Sequence, residues 1–326
     1  MDDLTPIAEA NGGYLMRHQL NDLGLHDAAI RHAVRAGVLL RVRHGTYVVK
    51  AVWDLLSDSQ RHATLTRSLL DKLGPNVVAT HQSAAALHGF DLFGNDLGLI
   101  HVTRLDGHRG RREAGVVFHE GRLEDEQIVD VEGRQVVAPA RAVFETCTLA
   151  GTEGGMVVAT SAMRSGTVSR EQLDEEARAF DHWPGTRVAR LAIRLADPRL
   201  ETVGEVRSLH LMWRHGIPHP ELQWTVTADD GTVIARTDFA WVEARHTGEF
   251  DGMAKYGRLN PYVTDPGRTI EKEKVREDAV RGQLLGMTRW VWADLAPRHQ
   301  GATAQRIRAG LAQSAKLYTR NARTIA

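Results

Sequence analysis

The amino-acid sequence predicts an α+β chain in three parts. Three observations point there. The first fifty residues string short, apolar-striped helices into a two-strand turn. Residues 51–200 mix helical and strand-like stretches around Gly-rich corners, an α/β middle domain. From residue 201 a helix is followed by three segments that alternate apolar and polar, and then by a basic tail.

Composition narrows the possibilities. A chain of 326 residues fits two or three domains of roughly 100–200 residues each. Hydrophobic residues at 42% and charged residues at 25% exclude disorder and coiled coil. Lys+Arg (41) balances Asp+Glu (41), so any basic surface is local and offset elsewhere. The single cysteine, Cys147, excludes an internal disulfide framework and a Cys-based zinc site, and it has no triad-like neighbours. The opening Met1-Asp2-Asp3-Leu4 lacks an apolar signal core, and no stretch of about 18 apolar residues is present. The expectation is a cytoplasmic protein with no membrane partner. Asp197-Pro198 is the natural boundary before the last part, since the residue before proline resists helix. The expected domains are 1–50, 51–198 and 199–326.

In the first fifty residues Thr5-Pro6 starts a helix and Gly12-Gly13 ends it. A second helix is expected over 16–23. A third covers 26–36, with Gly37 as its stop. Ile30, Ala33 and Val34 make its core stripe, which leaves Arg31, His32 and Arg35 on the open side. Residues 38–49 alternate and turn at His44-Gly45, a small hairpin. These are the parts of a winged helix-turn-helix, which lays one helix in the major groove and its wing on phosphates. Arg31, Arg35, Arg41 and Arg43 are the candidate contacts to double-stranded DNA. The competing reading is a small helical module whose arginines are solvated or grip a protein. Six Lys/Arg against five Asp/Glu in this segment make counterion release a modest contributor.

In the middle part, 80–90 reads as a helix of small residues ending at Gly89. Residues 99–103 and 115–119 read as strands, with a basic loop between them (Arg104, His108, Arg109, Arg111, Arg112). An acidic stretch follows over 120–132, and a helix begins near Pro139. His81 and His88 lie seven apart, too far for the usual i, i+4 metal pair, and are read as packed or capping residues.

The last part holds the candidate chemistry. In the helix over 201–215, Glu205 shares a face with Leu209 and Met212. A carboxylate pointed at a core is costly unless a cation or hydrogen bonds meet it, and the plainer reading of Glu205 alone is an edge-of-stripe residue that snorkels out to water. Residues 222–227 form a strand, 228–231 a turn and 232–242 a second strand, with Asp238 in its middle against strand propensity. A third strand puts Glu249 and Asp251 on one face and Phe250 on the other. An even-length hairpin turn beside Ala244 sets Asp238 opposite Glu249, with Cβ atoms about 5 Å apart. Two carboxylates that close repel, and a hard divalent cation, Mg²⁺ or Mn²⁺, resolves the conflict. A solvated pair or a slipped register is the plainer alternative. From Leu295 to the end there are six Lys/Arg and no acid. That tail is either an arm along phosphates or an amphipathic helix.

Two resemblances follow from these residues. Ala36-Gly37-Val38-Leu39, Arg41-Val42 and Gly45-Thr46-Tyr47 resemble the N-terminal domain of AbiEi-type antitoxins of type IV toxin–antitoxin systems. The His-x-Ser-Ala-Ala-x-Leu-x-Gly stretch at 81–89, then His101-Val102-Thr103 and Ala138-Pro139-Ala140-Arg141, extend that likeness into the middle part. It implies DNA binding with operator recognition or a cognate toxin partner, not chemistry. Residues 200–296 resemble the PD-(D/E)xK nuclease core, and its very-short-patch-repair endonuclease branch more closely. The words are Asp238-Phe239-Ala240-Trp241 and Glu249-Phe250-Asp251-Gly252, after the inward Glu205 and before a charged helix at 269–281 and a strand at 288–295. This implies a restriction-endonuclease-like core, a mixed sheet flanked by helices. Asp238 and Glu249 would hold Mg²⁺, Asp251 or Glu205 would complete its shell, and Lys255 would orient the attacking water or offset phosphate charge. Asp251 stands where the superfamily's lysine normally sits, and Arg236-Thr237 stand where its first word has proline. The expected function is DNA binding with Mg-dependent endonuclease cleavage of phosphodiester bonds, as in phage defence. The alternative is a non-catalytic antitoxin-like repressor with an inactive nuclease fold.

Overall fold

The computed structural model describes residues 4–228, 230–252 and 282–322. The chain divides into two compact units, Met1–Arg194 and Leu195–Ala326. Among the described residues no helix is long and apolar enough to cross a membrane.

The first unit opens with helix α1 (Thr5–Ala10). Pro6 sits in its first turn and Leu4 occupies the capping position, so Thr5 does not cap it as the sequence predicted. A short strand β1 (Leu15–Met16) replaces the expected start of the second helix. The Met16 N–H donates to Gln19 Oε1 (2.8 Å), which fixes the switch from strand into α2 (Arg17–Asp22). Helix α3 (Asp27–Arg35) turns Ile30 and Ala33 inward. Strands β2 (Leu39–Arg43) and β3 (Thr46–Val49) fold back through Gly45, whose φ of 72° suits glycine. β1 joins them in an antiparallel sheet of order β1-β3-β2. These are the elements of a winged helix in the expected order, closed over a core of Leu4, Leu15, Leu20, Ile30, Leu39 and Tyr47.

The chain continues through α4 (Lys50–Trp53) and α5 (Asp58–Leu73), which Ser57 and Gln60 cap reciprocally. Then come β4 (Val77–Ala79), α6 (His81–Leu87), β5 (Ile100–Arg104), β6 (Arg111–Glu113), β7 (Val116–His119), β8 (Ile128–Val131) and β9 (Arg134–Val137). They make a six-stranded sheet of order β6-β7-β5-β4-β9-β8, with β5/β7 and β4/β9 parallel. Its two hairpins turn on Ala114-Gly115 and Glu132-Gly133, all at positive φ, the pairing that matches strand twist. The expected strands at 99–103 and 115–119 are β5 and β7. β8 emerges from the acidic stretch, where no strand was expected. The core joins Val78, Ile100, Val102, Val116 and Val136 to Leu69 and Leu70 of α5. Helices α7 (Pro139–Leu149), α8 (Gly151–Arg164), α9 (Arg170–Ala179) and α10 (Thr186–Leu195) follow. Cys147 is fully buried, and burial pushes its thiol up to about 12, so it stays a protonated packing residue.

The second unit runs α11 (Val203–Arg214), β10 (Glu221–Thr227), β11 (Val233–Trp241), β12 (His246–Asp251), β13 (Gly286–Val291) and α12 (Gln300–Ala322). Its sheet order is β10-β11-β12-β13, antiparallel, antiparallel, then parallel. The strand expected over 288–295 ends at Val291 and gives way to a tight turn over Trp292–Leu295. The expected helix at 269–281 lies outside the described residues. One sheet face packs on α11: Trp290 Nε1 donates to Ser208 Oγ (2.7 Å), and the Phe239 and Trp290 rings are 5.5 Å apart. The basic tail is largely α12, which buries Ala304, Ile307 and Ser314. His246 ties it down, bonding Ser314 Oγ (2.8 Å) and Thr288 Oγ1 (2.9 Å).

Gly204 marks a close approach in this unit. A Cβ there would sit 1.9 Å from Phe250 Cε1. Gly204→Ala is expected to cost about 1–3 kcal/mol of unfolding free energy through overpacking. Chemical denaturation followed by tryptophan fluorescence measures it. An unchanged midpoint would show that Phe250 does not pack on α11.

Candidate functional site

In the first unit the open face of α3 carries Arg31, His32 and Arg35, all exposed, over the buried Ile30 and Ala33. Arg17 bonds Asp27 Oδ2 (2.5 Å) in the first turn of α3 and holds α2 against it. Arg41 is exposed near the wing tip, 3.0 Å from His44 Nδ1. Arg43, expected beside it on phosphates, is turned elsewhere. Its Nη2 donates to the Ala114 carbonyl (2.9 Å), and burial holds its guanidinium below the usual arginine range. The reason is local: the β6–β7 turn presents the Ala114 carbonyl within reach of the Arg43 side chain. A clamp completes the attachment. The Tyr14 hydroxyl donates to Asp71 on α5, and Arg134 of β9 reaches Asp71 Oδ1 (2.7 Å) and Tyr14 Oη (3.2 Å). Burial, then the Asp71 bond, raise the Tyr14 phenol to about 12. The winged-helix segment is thus joined to the sheet through one wing strand and Tyr14, and α3 is left open.

In the second unit, the β11–β12 pairs run from Trp241↔His246 to Phe239↔Gly248. The next step sets Asp238 across from Glu249, the register expected of an even-length turn. Glu249 lies across from Arg289 on β13. On the other side Leu222↔Phe239 and Trp224↔Thr237 leave Gln223, with φ at 54°, across from Asp238. Gln223, Asp238, Glu249 and Arg289 therefore form one row over all four strands. Glu249 is buried, and Arg289 Nη2 meets its Oε2 at 2.8 Å. Asp238 Oδ2 accepts the Phe250 N–H (2.8 Å). Asp251 is exposed at the strand end, and Lys255 lies outside the described residues.

Glu205 is buried instead of snorkelling out from the edge of its stripe, and hydrogen bonds meet it. Its Oε1 accepts from Thr202 Oγ1 (2.7 Å), and its Oε2 accepts from Glu201 N–H (2.9 Å) and Gln223 Nε2 (2.7 Å). Thr202 in turn accepts the Glu205 N–H (3.2 Å). Thr202-x-x-Glu205 is a helix-capping spacing, a signal the sequence held and the stripe argument passed over. Arg289 and Gln223 were missed because each gains meaning only from register.

A Mg²⁺ shell needs several oxygens converging on one point. Among the described residues, the group of three ligating side chains whose donor atoms all lie within 4.8 Å is His81, His101 and His119, not these carboxylates. Among the described residues, Arg289 is a cation that faces Glu249. His88, paired with His81 in sequence, instead bonds the Val137 carbonyl (2.8 Å).

Residues 2–50 match the family model described as "Transcriptional regulator, AbiEi antitoxin". The uncharacterized protein Rv2248 of Mycobacterium tuberculosis (strain ATCC 25618 / H37Rv) is 30% identical over 221 residues, 68% of this chain and 76% of that protein. The uncharacterized protein MT2308 of Mycobacterium tuberculosis (strain CDC 1551 / Oshkosh) matches to the same extent. The chain belongs to the family of these mycobacterial proteins. The AbiEi likeness is shown for its winged-helix segment.

The Glu249–Arg289 pair is open to a direct test. Arg289→Met is expected to destabilise by about 1–3 kcal/mol at neutral pH, because it strips a buried carboxylate of its counter-ion. Glu249→Gln combined with Arg289→Met is expected to recover much of that loss. A double-mutant cycle in urea reads the coupling, and additive effects would show that the pair does not interact.

Proposed function

We propose that this chain is a DNA-binding transcriptional regulator of AbiEi antitoxin type, reading double-stranded DNA through Arg31 and Arg35 of α3. The observation that carries the reading is an open basic helix face, backed by a buried stripe, within the segment that matches the AbiEi model. Arg41 adds a phosphate contact at the wing. Arg43 serves packing. A cognate toxin protein is the partner such a regulator implies.

The test is a mobility shift on the promoter fragment of the protein's own gene. Arg31→Ala with Arg35→Ala is expected to weaken binding by about 1–3 kcal/mol and to flatten the salt dependence. Arg43→Ala is expected to leave affinity near wild type while lowering thermal stability. Full affinity in the double variant would overturn the assignment of α3.

A second reading, a Mg²⁺- or Mn²⁺-dependent endonuclease of phage defence, is favoured by the helix–three-strand order and the Asp238/Glu249 register. A cation on Glu249 would have to displace Arg289, so no catalytic step is derived from this arrangement. Plasmid incubated with protein and Mn²⁺ decides it. On the regulator reading the DNA stays intact. Cleavage abolished by Asp238→Ala would establish the nuclease.

A further inference from the structure

We propose that His81, His101 and His119 form a binding site for one late divalent transition-metal ion of the zinc class. The proposal goes beyond the DNA reading and stands without it.

The fold brings these residues together from three places. His81 opens α6, His101 lies on β5 and His119 on β7. β5 and β7 are parallel and pair Ile100↔Val116 and Thr103↔His119. His101 and His119 therefore share one sheet face, while Ile100, Val102, Val116 and Phe118 alternate to the other and enter the core. One ligand nitrogen from each ring lies within 4.8 Å of the other two. His101 Nδ1 and His119 Nε2 are 2.8 Å apart. Two nitrogens on a tetrahedral Zn²⁺ at 2.0–2.1 Å stand about 3.3 Å apart, so a small opening of this contact admits an ion. The His81 and His119 rings stack at 4.1 Å, which keeps all three imidazoles about one point.

Two observations mark this as more than packed histidine. His81 Nδ1 is buried and has no hydrogen-bond partner among the described residues. Leaving a polar atom that way is costly, and folds seldom tolerate it without a ligand or a function. His81 also holds φ at 51°, a strained value for a side chain with a Cβ. Glu145 supports the ring: its Oε2 accepts the His81 N–H (3.1 Å) and lies 3.5 Å from Nδ1. Arg141 fixes that carboxylate (2.7 Å) and balances its charge.

The donor set chooses the metal. Three neutral nitrogens suit Zn²⁺, Ni²⁺ or Cu²⁺, while Mg²⁺ and Ca²⁺ require oxygens. Burial, reinforced by the neighbouring rings, holds His81 well below the usual imidazole range and His101 at about 3; burial also lowers His119. His119 is only half-buried, so a fourth position opens toward solvent for water or an exogenous ligand. A bound ion would tie α6 to β5 and β7.

The experiment uses the full chain, stripped with chelator and dialysed. Zn²⁺ titration by calorimetry is expected to give about one site per chain and a raised thermal midpoint. Co²⁺ is expected to give the absorption of a tetrahedral nitrogen site without a thiolate band. His101→Gln and His119→Gln are each expected to weaken Zn²⁺ by about tenfold or more, while His88→Gln leaves it unchanged. If a variant fails to fold, imidazole ¹⁵N spectra of the wild-type chain replace it, and three histidine rings should shift on Zn²⁺ addition. No stoichiometric uptake by the wild type, uptake undiminished in both variants, or shifts confined to other histidines would each overturn the site and leave the DNA reading untouched.

Discussion

A carboxylate taken out of water must be met by donors or by a cation, and much of this molecule is arranged around that requirement. Glu145 is met by Arg141 and the His81 N–H. Glu205 is met by Thr202, Glu201 and Gln223, and Glu249 by Arg289. The same requirement motivates a metal when only the acids can be seen. Once the strands are in register, protein donors already face Glu205 and Glu249. This is why these acids favour a regulator reading over a catalytic one.

The winged-helix segment obeys the same logic. Its attachments include Arg43 on the Ala114 carbonyl, Lys72 on the His44 carbonyl and the Tyr14–Asp71–Arg134 clamp, and they take up Arg43, one of the four arginines expected on DNA. A guanidinium engaged with the Ala114 carbonyl is directed along the β6–β7 turn and not outward from the wing. The basic residues that remain accessible cluster on α3, and Arg41 adds one point at the wing. On the proposed reading, recognition would depend on the helix face, with the wing acting chiefly as a brace.

Much of this architecture was legible because its signals are local. The Ile30/Ala33 stripe, the Gly45 turn, the alternating strands at 99–103 and 115–119 and the even turn beside Ala244 each need only a few neighbouring residues. The Asp238/Glu249 register followed from that turn. What was not legible depends on distant partners. Met16 enters a strand because β3 is waiting for it, and Arg43 leaves the wing because Ala114 lies beside it. Arg289 matters only once β13 lies parallel to β12, after a long crossover. Thr202-x-x-Glu205 is the exception. It was local and readable, and the apolar stripe argument concealed it.

The histidines show the same limit from the other side. His81 and His88 invited comparison because they are close in sequence, yet their rings serve different neighbours. The partners of His81 come from two strands that a parallel pairing brings side by side, so spacing along the chain carries no trace of the cluster. The physical contrast with the carboxylate row is one of satisfaction. Glu205 has donors at both oxygens, whereas His81 keeps a buried nitrogen without a hydrogen bond among the described residues. A ligand is worth most where the fold has left a polar atom unmet, and that places the stronger case for a bound metal in the imidazole cluster of the first unit.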